Sequence, residues 1–137
     1  MQVTTSTNTL DALQLRFVRA INYARTLAIS RETIISFCGS RNQKTCGGNW
    51  QSGQLIMDAS TQQLLAHYPP VPKYYRLLWQ SSLERNHELV FNADGFSLQQ
   101  GRFRLSSLSP SHESTRETVV LRSGRLRVIR DNEKNKE

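Results

Sequence analysis

Acidic side chains are scarce in this 137-residue chain: eleven Asp and Glu stand against eighteen Lys and Arg, for a formal charge of +7. A polyanion is therefore the first partner to consider, with a solvated basic surface or attraction to anionic lipid as plainer readings. The chain as written has no run of about 18 apolar residues and no basic leader followed by an apolar stretch, so neither a membrane span nor a secretion signal is read in it. Catalytic patterns are missing too. It has no Gly-rich phosphate loop, no paired-carboxylate spacing and no Ser-His-Asp order in a recognised context, and His67 and His87 read as loop or surface residues; no enzyme is expected. A zinc site needs about four closely spaced ligands, whereas His67, His87 and His112 are scattered singly and Cys38 and Cys46 are the only cysteines. No metal and no cofactor are expected.

Cys38 and Cys46 flank a short stretch that contains Gly39 and Lys44. In an exported protein such a pair most often forms a disulfide, and closing so short a loop stabilises by roughly 2–3 kcal/mol. Two buried thiols are the rival reading. The disulfide is the expectation.

What the chain does have is a length suited to one domain and a clear change of period. Leu10, Leu13, Phe17, Ala20, Ile21, Ala24, Leu27 and Ala28 recur at three- and four-residue steps, which draws an apolar stripe along a helix over residues 10–31. Asn8 or Thr9 is placed to cap it, with Asp11 in the first turn. Arg16, Arg19, Asn22, Arg25 and Arg31 fall off the stripe, as on a solvated face. Beyond the helix the period becomes 2. Strands are expected at 33–38, 54–58, 74–79, 88–92, 96–99, 102–105, 118–121 and 125–130, separated by turn signals at Gly47-Gly48, Pro69-Pro70 with Pro72, Asp94-Gly95, Gly101 and Ser123-Gly124. Residues 106–115 read as a loop and 131–137 as a fraying tail. The expected class is α+β, one long N-terminal amphipathic helix packed on antiparallel β-sheet, with residues 10–130 as the domain.

Four patterns carry a family resemblance. The helix Leu10-Asp-Ala-Leu-Gln-Leu-Arg-Phe-Val-Arg-Ala-Ile-Asn-Tyr-Ala-Arg25 leads to a strand ending in Cys38; Trp50-Gln-Ser-Gly53 leads to a strand ending in Asp58; Leu89-Val-Phe-Asn-Ala-Asp-Gly95 forms a hairpin; and Val119-Val-Leu-Arg-Ser-Gly-Arg-Leu-Arg127 closes the chain. In this order they resemble the GspH/FimT family of minor pilins and pseudopilins, whose members pack an amphipathic helix on two small antiparallel sheets. The resemblance covers residues of about 10 to 130 and implies export, assembly with other pilins near the tip of a pilus or pseudopilus, and a location at the inner membrane, the periplasm and the cell surface. The family's prepilin cleavage site and apolar half-helix do not appear. Residues 1–9 are a polar segment running straight into the helix, and the expectation is that a membrane helix of about 20 residues precedes them in the native gene. GspH-type members belong to type II secretion pseudopili and FimT-type members to type IV pili. The resemblance also implies that some FimT-type proteins bind DNA for natural transformation through basic residues around a Gly-Arg-x-Arg segment.

Between Arg122 and Arg130 there are four arginines and no acid. If Ser123-Gly124 forms a two-residue turn, Arg122 and Arg125 become cross-strand neighbours and Arg127 shares the face of Arg125, with Val119, Leu121, Leu126 and Val128 inward. Guanidinium groups about 7–8 Å apart suit successive phosphates, since the planar fork binds phosphate bidentately. The expected DNA contacts are Arg122, Arg125, Arg127 and Arg130, with Lys134 and Lys136 as secondary ones, directed to the phosphate backbone without sequence preference. Arg16 and Arg25, of like charge but unclustered, serve as the comparison. Pairing of the arginines with Asp58, Glu84, Glu88 or Glu117 would instead make them structural, and the protein a pseudopilin without DNA binding.

Overall fold

The computed structural model describes residues 6–82, 88–108 and 114–130. Helix α1 runs over Ser6–Arg31, four residues longer at its start than the apolar stripe. No breaker interrupts the polar stretch, and once a helix is nucleated each further residue adds a backbone hydrogen bond. Asn8 and Thr9 consequently lie inside the helix and Asp11 lies beyond its first turn, which corrects the expected cap. Leu10, Leu13, Phe17, Ala20, Ile21, Ala24 and Ala28 are all buried, as the stripe requires. Among the described residues, no helix is long and apolar enough to cross a membrane.

Eight strands follow: β1 (Ile35–Gly39), β2 (Gln54–Asp58), β3 (Gln63–Tyr68), β4 (Tyr75–Ser81), β5 (Glu88–Phe91), β6 (Gly101–Ser107), β7 (Thr115–Val120) and β8 (Leu126–Arg130). They form two four-stranded antiparallel sheets, ordered β3-β2-β1-β5 and β4-β6-β7-β8. β4 leaves the first sheet to open the second, so the strands are not one continuous meander. The expected strand at 96–99 is not one. Only Phe91 and Ser97 form a bridge there, and the buried Gln99 side chain accepts from Val90 N and donates to Glu88 O, taking the place of a ladder. Residues 106, 107 and 115, read as loop, belong to β6 and β7.

The core lies where α1 covers both sheets. Phe103 of β6 sits at its centre, with ring centroids 4.4 Å from Trp79, 4.9 Å from Trp50, 5.5 Å from Phe17 and 6.0 Å from Phe37. Truncating one such ring costs about 3–5 kcal/mol through lost transfer energy and the cavity left behind. On the far face of β1, Cys38 joins Leu55 and Met57 in a second small cluster and is bonded to Cys46. The expected disulfide is present.

Polar ties fasten α1 to the last two strands. Gln14 Nε2 donates to Glu117 O at 3.0 Å, and the buried Arg116 Nε donates to Asp11 Oδ1 at 2.9 Å. At the other end Arg25 Nε donates to Gly95 O at 3.0 Å, beside the turn that precedes β8. From Asp11 to Arg25 the helix advances about 21 Å; the strand from Gly124 to Arg130 advances about 20 Å. β8 therefore runs in the opposite direction to α1, with Ile129 O 3.5 Å from Gln14 Nε2 and Arg130 Nε 3.9 Å from Asp11 Oδ1 toward one end, and the turn glycine Gly124 beside Arg25 at the other.

Candidate nucleic-acid interface

The hairpin between β7 and β8 turns through one residue more than the expected two-residue turn. Gly124 N donates to Leu121 O at 2.8 Å and Leu121 N to Arg125 O at 2.9 Å, while Gly124 has φ +89. This is a three-residue loop, Arg122 to Gly124, with a left-handed glycine closing it. Two corrections follow. Arg122 sits in the loop, where its carbonyl accepts from Ser97 N at 3.0 Å, and the cross-strand partner of Arg125 is Leu121. Val119 pairs with Arg127, so Val119 and Leu121 lie on the arginines' own face and not inward. Leu126 does pack against the core, whereas Val128, on the same side of the strand, is 43% exposed.

Gly124 is held by its surroundings as well as by its dihedral. A Cβ there would stand 2.2 Å from Gly95 O and 2.5 Å from Arg25 Nε. Two glycine turns thus meet on one helix arginine, and the arginine hairpin is fixed to α1.

Arg122, Arg125 and Arg127 are exposed and make no side-chain ion pair or hydrogen bond among the described residues. Arg130 is set apart. It pairs in register with Arg116 on the helix side of the sheet, with its Nε 3.9 Å from Asp11 Oδ1. Three of the four expected arginines are brought to the turn and the outer face, and the fourth faces α1. Lys134 and Lys136 lie outside the described residues.

Of the acids named as alternative partners, Asp58, Glu88 and Glu117 are engaged elsewhere. Asp58 accepts from the Ser60 hydroxyl at 2.7 Å and lies 3.5 Å from Arg31 Nη2. Its carboxyl is held below the usual carboxylate range, first by the Ser60 hydroxyl, then by the Thr61 and Ser60 amides and the Arg31 charge, against the opposing effect of burial. Glu88 accepts from Ser36 Oγ at 2.9 Å, and Glu84 lies outside the described residues. Glu117, buried on the outer face of the second sheet, takes Arg102 Nη1 at 3.2 Å and lies 3.9 Å from Arg104 Nε. Those two β6 arginines share the outer face with Arg127, since Arg102 aligns with Val119 and Val119 with Arg127. The alternation Arg102-Phe-Arg104-Leu was the signal that could have placed them there.

The helix arginines are not equivalent bystanders. Arg16 donates to Gln54 Oε1 and Pro69 O, both at 3.0 Å, and burial pushes its guanidinium below the usual range. Arg25 holds the hairpin. Both are structural, and exposed Arg19 and Arg41 are the proper comparison.

One long helix laid across two antiparallel sheets is the pilin architecture. The chain is similar to the type IV minor pilin FimU of Pseudomonas aeruginosa strain PAO1 in two crystal forms. In the P21 form the TM-score is 0.71 at 18% identity over 91% of each chain; in the P65 form it is 0.61 at 17% identity over 81% of this chain and 85% of the other. No curated protein matches the chain. The chain belongs to the GspH family: the family model described as Type II transport protein GspH matches residues 15–124. Membership in this family of pilins and pseudopilins implies an exported location, at the pilus or in the periplasm. The matched stretch ends at the turn glycine, with Arg125 and Arg127 just beyond it.

Proposed function

We propose that this chain is a minor type IV pilin that binds DNA without sequence preference, through the arginine hairpin, during DNA uptake in natural transformation. The observation that carries the reading is the set of exposed guanidinium groups of Arg122, Arg125 and Arg127, which have no carboxylate partner among the described residues. Like charges held together on a rigid turn repel, and an anion relieves that repulsion. Arg side chains engage phosphate bidentately, and with no aromatic residue in the loop the contacts go to backbone oxygens. Weak single sites suit a filament, in which neighbouring pilins and several copies act on one long polymer and multiply retention. Anchoring in the inner membrane through a preceding apolar helix belongs to the same reading.

The second reading is a structural pseudopilin of type II secretion without DNA binding. It is favoured by the family model's own description and by the engagement of Arg130 and Arg102 with acids of this chain.

Fluorescence anisotropy on a labelled duplex separates the two. Three phosphate contacts give a slope of log affinity against log salt of about −3, with micromolar or weaker affinity at physiological salt. Arg125→Gln and Arg127→Gln should each flatten the slope by about one unit on any duplex sequence, while Arg19→Gln and Arg41→Gln change it little. Equal losses at all four positions would mean diffuse attraction and no site at the hairpin.

A further inference from the structure

The outer face of the second sheet carries more arginine than the hairpin. Strand register places its outward residues in rows. Arg127, Val119, Arg102 and Gln80 form one row; Ile129, Glu117, Arg104 and Leu78 form the next; Thr115, Ser106 and Arg76 form a third. Arg125 precedes the first row, opposite Leu121. The five arginines therefore step diagonally across the sheet, from Arg125 and Arg127 on the β8 side, through Arg102 and Arg104 on β6, to Arg76 on β4. With about 3.4 Å per residue along a strand and about 4.8 Å between strands, successive Cα steps are roughly 7–10 Å and the band is about 25 Å long. A band of that length spans about seven base pairs of duplex at 3.4 Å each. Among the described residues, these outward positions carry five arginines and one carboxylate, Glu117.

Glu117 decides what the band can do. Its side chain is only 3% exposed, whereas those of Arg102 and Arg104, which it holds, are 48% and 47% exposed. A buried acid that accepts from Arg102 Nη1 at 3.2 Å and lies 3.9 Å from Arg104 Nε draws the inner side of both guanidinium groups toward the sheet and leaves their outer donors in solvent. Arg presents five donors, so engagement by one carboxylate leaves several for a second anion. The pairing that makes these arginines look structural also preorganises them, which lowers the ordering cost of binding.

We propose that the binding surface for duplex DNA is this diagonal band, with Arg102, Arg104 and Arg76 continuing the hairpin site and Glu117 acting as a positioning residue beneath it. The proposal rests on the DNA-binding reading of the hairpin and extends its footprint to the sheet.

The test uses the full chain and a labelled 20-base-pair duplex, titrated over a salt series, with thermal unfolding of every variant. Arg102→Gln, Arg104→Gln and Arg76→Gln should each weaken binding by about three- to tenfold and flatten the salt slope by about one unit. Glu117→Gln keeps the side chain's shape and one accepting oxygen for Arg102 Nη1, while it removes the negative charge that this face carries among the described residues, so it should bind several-fold tighter, which a merely structural acid would not produce. Arg102→Lys, which keeps the charge, should retain most of the affinity and carries the test if Arg102→Gln fails to fold. Loss of binding in Arg125→Gln and Arg127→Gln with none in the β6 and β4 variants, or Glu117→Gln binding no tighter, overturns the band and leaves the hairpin site standing. Losses in the β6 and β4 variants alone overturn the hairpin reading and keep the sheet face. A wild-type chain that binds no duplex at low salt overturns both.

Discussion

Gly124→Ala is the sharpest probe of how the arginine turn is held. Alanine must adopt φ near +89, and left-handed backbone costs a non-glycine residue about 1–2 kcal/mol. Its methyl group would also fall 2.2 Å from Gly95 O, a backbone atom that cannot swing aside, and 2.5 Å from Arg25 Nε. Relief requires the two turns to part, which breaks the 3.0 Å hydrogen bond from Arg25 to Gly95 O and costs about another 1–2 kcal/mol. The sum is about 2–4 kcal/mol, or roughly 10 °C in melting temperature for a domain of this size. Gly47→Ala provides the control, since Gly47 has φ +113 but nothing within 4 Å of an added Cβ, leaving only the backbone cost of about 1–2 kcal/mol. Melting followed by circular dichroism, with Arg25→Ala alone and combined with Gly124→Ala, completes the cycle. Alanine at 124 should cost less once Arg25 is gone, because the two share the same contact. Equal melting of Gly124→Ala and Gly47→Ala, or strict additivity with Arg25→Ala, would refute the three-way lock.

Two further outcomes follow from other parts of the fold. Replacing Cys38 and Cys46 together by Ser should lower stability by about 2.5 kcal/mol through loop-closure entropy, read by denaturant unfolding; alkylation of both thiols in the unreduced wild-type protein, seen by intact mass, would contradict the bond. The Asp58 carboxyl titrates below its unfolded value, so it contributes stability at neutral pH that is lost as pH falls from about 4 downward, through its lowered folded pKa. The melting-temperature gap between wild type and Asp58→Asn should therefore shrink steadily below about pH 4, and a gap that stays constant to pH 2 would contradict the assignment.

The helix was readable because seven apolar residues at helical spacing meet one core, and burial enforces that period strongly. β3 was not. Gln63-Leu-Leu-Ala-His-Tyr68 has no β-branched residue, and as an edge strand it leaves most of its side chains exposed or half-buried, so neither propensity nor alternation marks it. Residues 96–99 failed in the opposite sense: their composition suits a strand, but Gln99 satisfies β5 with its side chain, a solution local pattern cannot express. At the site, exposure of Arg125 and Arg127 followed from alternation, yet the face they share with Arg102 and Arg104 depends on pairing β6 to β7 to β8, which only tertiary register supplies. The structural use of Arg25 was invisible for the same reason, its partner lying 70 residues away.

The alignment of β8 beside α1 has a mechanical consequence. A long polymer drawn taut against the turn pulls on one end of β8, and resistance arises where α1 holds the hairpin, through Arg25 near the turn and through Gln14 and Asp11 toward the far end. Antiparallel ladder bonds lie perpendicular to their strands. Tension along the helix axis therefore loads the β7–β8 ladder in shear, so that its bonds carry the force together, whereas a sideways pull would peel them open one after another. The strength of the hold depends on the angle of the pull.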